Sequence, residues 1–294
     1  IYDPTCGSGG MLIKCLTYLK DKGEEWQGVH VFGQEINGLT SSIARMNLYL
    51  NGIEDFSIVC ADTLAHPAFL DGSRLRQFDI VLANPPYSIK QWDRDAFAHD
   101  KWGRNFLGTP PQGRADYAFI QHIIASMNPE TGRCAILLPH GVLNRLGEEQ
   151  EIRKKFIQLD IIDTIISIGK NLFYNSPMEA CIIVCSNAKH KYIKDKIRFV
   201  YATDLVSRSN GESFLTNEQI NQIISYYHSS SNIQGRVAIV DKDTIANNDF
   251  SLFTKRYIQV PDVLCDFSLE ESLDSWEDCS RRLRTELSDL IKML

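Results

Sequence analysis

Nothing in the 294 residues approaches the roughly 18–20 consecutive apolar residues that a membrane-spanning helix needs. The chain opens Ile1-Tyr2-Asp3-Pro4, with no basic stretch leading into an apolar one, so no signal peptide is read there. Positive charge is not in excess: 31 Lys and Arg face 37 Asp and Glu, a formal charge of −6. That balance argues against a protein that grips nucleic acid alone by bulk electrostatics. It leaves room for a local basic surface or a DNA-binding partner. Paired metal-ligand spacings are missing too. Cysteines stand at 6, 15, 60, 134, 181, 185, 265 and 279, and Cys181 and Cys185 have no second Cys or His pair beside them. No zinc or other metal site is expected. Most of the cysteines lie inside apolar runs such as CAILL and EACIIVC, as buried reduced thiols of a cytoplasmic protein would. Internal repeats and low-complexity segments are absent.

What is there is an alternation of strand and helix signals. Strands are expected at Ile1–Asp3, Val29–Glu35, Ser57–Asp62, Phe78–Ala83, Cys134–Pro139, Ile161–Ile168 and Ala180–Ser186. Helices are expected between them at Met11–Lys20, Leu39–Asn51, Ala115–Met127 and Glu148–Leu159. Runs such as FDIVLA and CAILLP are continuously apolar, as strands covered on both faces are. The pattern predicts an α/β fold with a doubly wound, seven-stranded, mostly parallel sheet and helices on both faces. Residues 1–188 are read as the catalytic domain and 189–264 as a peripheral α/β extension, because Asn187–Asp195 is polar and basic. The extension holds a strand at Ile197–Tyr201, a helix at Asn217–Tyr227 and a strand at Arg236–Val240. Residues 265–294 carry a heptad-like stripe of Leu273, Trp276, Leu283, Leu287, Leu290 and Leu294. It suits a C-terminal helix packed on its own domain or docked on a partner subunit. Because almost nothing precedes the first strand, the chain reads as part of a longer protein.

Asp3-Pro4-Thr5-Cys6-Gly7-Ser8-Gly9-Gly10 follows that strand and opens a helix. Gly7 and Gly9 allow a sharp turn and close approach of a ligand, and the helix start favours an anionic or electron-rich group. Position 12 is Leu, which breaks the GxGxxG spacing of a dinucleotide site, and there is no GK[ST]. A cofactor without a pyrophosphate, such as S-adenosylmethionine, suits what remains. Glu35 closes the second strand, where an acid accepts from both ribose hydroxyls; Asp62 closes the third, where a carboxylate accepts from an adenine amino group. Any one of these acids would pass for a solvated loop residue. Acids at three consecutive strand ends favour the cofactor.

The strand Phe78–Ala83 runs straight into Asn84-Pro85-Pro86-Tyr87. Two prolines fix the backbone and remove two N–H groups. The Asn84 side-chain oxygen and the Pro85 carbonyl then serve as paired acceptors for one amino group, which gains electron density on nitrogen. A poor nucleophile such as adenine N6 needs that help, and Tyr87 offers a face for an extruded base. Catalysis would be in-line displacement by positioning and oriented dipoles. A cytosine-C5 enzyme would need a cysteine after Pro-Pro, and none is present.

These residues resemble the N6-adenine DNA methylase family, specifically the modification subunit of type I restriction–modification systems. The resemblance extends to Gly113–His122, Leu138–Leu143, Glu151–Arg153, Asn171–Tyr174, and Asp249–Leu252 followed by Arg256-Tyr257. It implies a Rossmann-like S-adenosylmethionine-dependent methyltransferase fold. It assigns Asp3, Thr5, Gly7 and Gly9 to the cofactor, Glu35 to its ribose, Asp62 to its adenine, and Asn84, Pro85, Pro86 and Tyr87 to catalysis. It also implies an N-terminal helical domain, DNA as substrate, and a DNA-reading specificity subunit bound partly through C-terminal helices, with a restriction subunit as a further partner. Departures occur at Asn144–Gly147, Ile168–Lys170 and Asn175–Met178, outside the cofactor and catalytic motifs.

Three rivals stay open: a protein methyltransferase acting on a glutamine amide, N4-cytosine methylation, and a non-catalytic scaffold that binds DNA or a partner. The long segment between Tyr87 and Asp116 disfavours the first. Its Trp92, Arg94, Trp102, Arg104 and Arg114 suit nucleic acid, or an ordinary surface loop.

Overall fold

The computed structural model describes residues 1–172, 178–209, 212–259, 273–274 and 276–285. Residues Ile1–Gln259 form one compact unit and Val260–Leu294 a second. Each expected apolar run is a strand: β1 Tyr2–Asp3, β2 Val31–Glu35, β3 Phe56–Cys60, β4 Ile80–Ala83, β5 Arg133–Pro139, β6 Ile162–Ile168 and β7 Ala180–Ser186. The sheet has nine strands rather than seven. β8 Lys196–Ala202 and β9 Val237–Asp241 extend it, giving the order β9-β8-β6-β7-β5-β4-β1-β2-β3. β8 runs parallel to β6, and β9 runs antiparallel to β8. Apart from β9, only β7 runs antiparallel to its neighbours, β5 and β6.

The segment after residue 188 therefore builds the same sheet. Its basic residues double back onto the sheet edge: Lys189 Nζ lies 2.8 Å from Asp160, and Lys242 Nζ lies 2.7 Å from Asp195. Arg198 on β8 is fully buried and donates to Asp163 and Thr164 beside it on β6.

Helices connect the strands: α1 Gly10–Asp21, α2 Gly38–Leu50, the short α3 Arg94–Ala98, α4 Asp116–Ala125, α5 Glu148–Gln158, α6 Asn217–Tyr227 and the short α7 Lys242–Ala246. α6 starts on a capping box in which Thr216 and Gln219 satisfy each other's backbone N–H groups. α4 is buried from Asp116 to Ile123, which explains its apolar composition and lack of a clear polar face. Leu12 and Leu16 of α1 pack with Ala44 and Leu48 of α2 on Val31 and Ile58 of the sheet. That cluster fixes the glycine-rich loop between β1 and α1. Among the described residues, no helix is long and apolar enough to cross a membrane.

In the second unit residues 276–285 are helical, with Leu273, Trp276 and Leu283 exposed. The rest of the stripe, Leu287, Leu290 and Leu294, lies outside the described residues, as do Phe173 and Tyr174.

Gly33 on β2 pairs with Asp3. A Cβ at Gly33 would stand 2.5 Å from Ile58 Cδ1 and 2.8 Å from Cys6 Sγ. The loop can lie this close to the sheet only over a glycine. Gly33→Ala is expected to lower stability by about 1–3 kcal/mol through overpacking. A urea midpoint equal to that of the wild type would show that the loop yields freely.

Candidate active site

β1 lies between β2 and β4, parallel to both; Tyr2 pairs with Phe32 on one side and Val81 on the other. The carboxyl ends of β1, β2, β3 and β4 therefore line one edge of the sheet. Asp3, Glu35, Asp62 and Asn84 all occur at or just after those ends, where a parallel α/β sheet forms its ligand crevice.

The glycine loop is tied on both sides. Cys6 N donates to Gln34 O, and Thr63 Oγ1 donates to the Pro4 carbonyl at 2.5 Å. Gly7 has φ 54° and Gly9 φ 79°, left-handed values suited to glycine. Gly9 is the N-cap of α1 and offers no side-chain cap, which leaves first-turn N–H groups for a ligand. A Cβ at Gly7 would meet nothing within 4 Å, so open space lies over the loop. Beside it, Thr5 Oγ1 is buried and unpartnered. Orphaned buried hydroxyls are uncommon, and a polar ligand group would satisfy this one.

The acids differ in role. Asp3 is buried; it accepts from Thr5 N at 2.9 Å, and burial pushes its carboxyl up to about 7. Glu35 accepts from Gly7 N at 3.1 Å and from Asn37 N at 2.9 Å, so it braces the loop while leaving lone pairs for hydroxyl groups. Asp62 uses one oxygen to accept from Leu64 N and Ala65 N. It lines a pocket of about 330 Å³ with Leu64, Trp92, Ala96, Lys101 and Trp102. Open space, an orphaned hydroxyl and spare carboxylate lone pairs fit a phosphate-free nucleoside cofactor.

In the second motif Pro85 is buried while Asn84 and Pro86 are exposed. Tyr87 is half-buried. Its hydroxyl is sequestered without a partner, and burial pushes its pKa up to about 12. It stays a neutral phenol at physiological pH.

The segment from Ser88 to Arg114 is less available than its composition suggested. Arg104 is buried and bonds Asp100, Thr63 O and Leu64 O. Arg94 donates to Pro110 O and Glu148. These cations anchor the loop. Asp100 stands four residues before Arg104, a spacing that signals the pair; the backbone partners carry no sequence signal. Asp116, which accepts from the backbone after Tyr87, and its partner Arg145 had no role assigned from sequence.

Among the described residues no cluster of His, Cys, Asp or Glu could hold a metal ion. Seven cysteines are unpaired; Cys6, Cys134, Cys181 and Cys185 are buried, while Cys265 lies outside the described residues.

A family model described as N-6 DNA Methylase matches residues 1–264. The chain belongs to this family. It is 29% identical to the type I restriction enzyme MjaVII methylase subunit of Methanocaldococcus jannaschii, over 99% of this chain and 51% of that protein. It is 31% identical to the HindI methylase subunit of Haemophilus influenzae, over 88% of this chain and 58% of that one. The chain thus spans about half the length of the curated relatives it matches. The crystal structure of a type I restriction–modification methyltransferase subunit from Streptococcus thermophilus aligns with TM-score 0.80 and 31% identity, covering 88% of this chain and 54% of that one. The EcoKI M protein, at TM-score 0.64 and 20% identity, shares the fold. The α/β class and mostly parallel sheet expected of an N6-adenine methylase are borne out.

Asp3 has a measurable signature in the ligand-free protein. Burial raises its native pKa to about 7 from an ordinary value of 3.8, so the native state holds the proton more tightly than the unfolded chain. The resulting stability is complete below about pH 4 and is lost as pH rises through about 7. Asp3→Asn removes that loss. Urea midpoints at about pH 5 and about pH 8, either side of the raised pKa, should fall less across the interval for the variant than for the wild type. Equal falls would place the proton elsewhere.

Proposed function

We propose that this chain is the catalytic part of an S-adenosylmethionine-dependent DNA methyltransferase that methylates adenine N6, in the modification subunit of a type I restriction–modification system. The observation that carries this reading is the parallel pairing of β1 with β4, which sets the glycine loop and Asn84–Tyr87 at adjacent strand ends. Asp3, Thr5, Gly7, Gly9, Glu35 and Asp62 would hold the cofactor, with Glu35 at the ribose and Asp62 at the adenine. When bound, the cofactor supplies an electrophilic methyl group on a sulfonium.

The chain's own residues prepare the nucleophile. The Asn84 side-chain oxygen and the Pro85 carbonyl accept the two hydrogens of the target amino group, and Tyr87 stacks on the base. Held this way, the amino nitrogen would face that methyl group, and the proton it sheds would pass to water. No covalent enzyme intermediate is required. Of the five Lys and Arg in residues 88–114, Arg94 and Arg104 are bound internally; sequence recognition would fall to a specificity subunit, and a restriction subunit would complete the assembly. The exposed Leu273, Trp276 and Leu283 suit docking of such a subunit. Residues 1–188 would then carry the chemistry, 189–264 would widen the sheet, and 265–294 would dock. Buried reduced thiols suit a cytoplasmic setting.

The test is full-length protein produced with its neighbouring specificity subunit in a methylation-deficient host, with base modification mapped by long-read sequencing. N6-methyladenine at one bipartite motif is expected, falling roughly 10²–10³-fold in Asn84→Ala. Unmodified DNA, from a protein that still binds S-adenosylmethionine, would overturn the reading and favour a protein amide as acceptor.

A further inference from the structure

A buried ion cluster lies behind the turn that follows Tyr87. Ser88 has φ 49°, a left-handed conformation unfavourable for a non-glycine residue unless its surroundings hold it. Its N–H donates to Asp116 Oδ1 at 2.8 Å. The other oxygen of Asp116 accepts from Arg145 Nη1 at 2.8 Å. Arg145 also donates to Glu149 at 3.1 Å, and the second oxygen of Glu149 faces Arg114 at 3.4 Å. The Asp116 and Glu149 side chains are 0% and 1% exposed. The Arg145 guanidinium packs against Gly141, where any Cβ would collide with it.

Such a cluster is a poor way to gain stability. Desolvating two carboxylates costs about what their pairing returns, and apolar side chains of equal size would serve as well. An apolar side chain could not, however, accept the Ser88 N–H. We propose that Asp116 is a positioning residue for methyl transfer: its carboxylate holds the Ser88 N–H and so sets the turn that carries Asn84–Tyr87, while Arg145 fixes the carboxylate from behind. The role rests on the proposed DNA-methylase function. Pro85 and Pro86 fix φ at two positions, so a shift at Ser88 carried through Tyr87 displaces the Asn84 and Pro85 acceptors. Misplacement by about 1 Å costs on the order of 10²-fold in rate.

The experiment uses the full-length methylase assembled with its specificity subunit. It compares wild type, Asp116→Asn and Arg145→Lys by single-turnover methyl transfer and by calorimetric binding of S-adenosylmethionine. Asp116→Asn keeps the volume but turns an N–H group toward Ser88 or Arg145. The methyl-transfer rate is expected to fall roughly 10–100-fold with the cofactor Kd within about threefold. Arg145→Lys, which keeps the charge but shortens the side chain and loses the planar guanidinium, should fall between, and it carries the test if Asp116→Asn does not fold. Transfer within about twofold of wild type in the folded variants would overturn the proposal, as would a loss matched by an equal loss of cofactor binding. If the wild-type complex transfers no methyl group, the methylase reading itself fails. Amide exchange at Ser88 then decides the contact: lost protection in Asp116→Asn supports it and unchanged protection overturns it.

Discussion

The site depends on a strand of two residues. β1 would be too short to persist alone, yet Tyr2 is held in every direction. Its backbone pairs with β2 and β4, and its ring stacks on Phe78 with centroids 4.4 Å apart. Its hydroxyl shares a hydrogen bond with His122 Nε2 at 3.0 Å. Burial and the nearby Arg104 push the His122 pKa down to about 3, so the imidazole is neutral. Arg104 Nη1 approaches His122 Nδ1 at 3.4 Å, which makes Nδ1 the acceptor and assigns the ring proton to Nε2, facing Tyr2. The same Arg104 grips Thr63 O and Leu64 O in the segment after β3. One side chain from the long loop thus reaches the support of β1 and the backbone beside Asp62. The glycine-rich loop, Asp62 and the strand leading to Asn84 share a single buried scaffold.

Ligand-binding and structural roles are not alternatives at these acids. Glu35 accepts two backbone N–H groups that would otherwise be free at the mouth of the site, and Asp62 does the same for the turn after β3. A carboxylate held by backbone donors is pre-oriented, so a ligand hydroxyl or amino group meets it without a further loss of side-chain entropy. Asp3 is the exception: it has one backbone donor and a costly burial. The Thr5 hydroxyl next to it makes no well-formed hydrogen bond, yet it lies near enough to Asp3 to offset part of the burial.

Strands were legible from sequence because strands covered largely on both faces are continuous apolar runs; FDIVLA and ACIIVC announce β4 and β7, although Ile80 of β4 is exposed and β7 runs antiparallel. The glycine loop and Asn84–Tyr87 were legible because their chemistry is local. Two things were not. The sheet's continuation through β8 and β9 was hidden behind a polar segment whose Lys189 pairs with Asp160 and whose Asp195 pairs with Lys242, partners that only the fold supplies. The destinations of arginines were hidden for the same reason. Arg104 reads as a surface cation and lies in the interior, and nothing local marks Asp116 as the acceptor for Ser88, 28 residues away.

Those hidden arginines bear on how DNA would be held. Arg104, Arg153 and Arg198 are all buried. Arg153 spends its donors on the carbonyls of Phe250 and Arg145. Arg94 and Arg145 are paired with acids. The cations free to meet phosphates are therefore fewer than the 31 Lys and Arg suggest, in a chain whose formal charge is already −6. Affinity for nucleic acid scales with phosphates neutralised, so under the DNA-methylase reading this chain contributes little of the non-specific attraction. On that reading its part would be to hold one extruded base rigidly once another surface has captured the duplex. Buried ion pairs and a braced turn suit that role, because they give up long-range attraction and gain fixed geometry at the acceptor atoms.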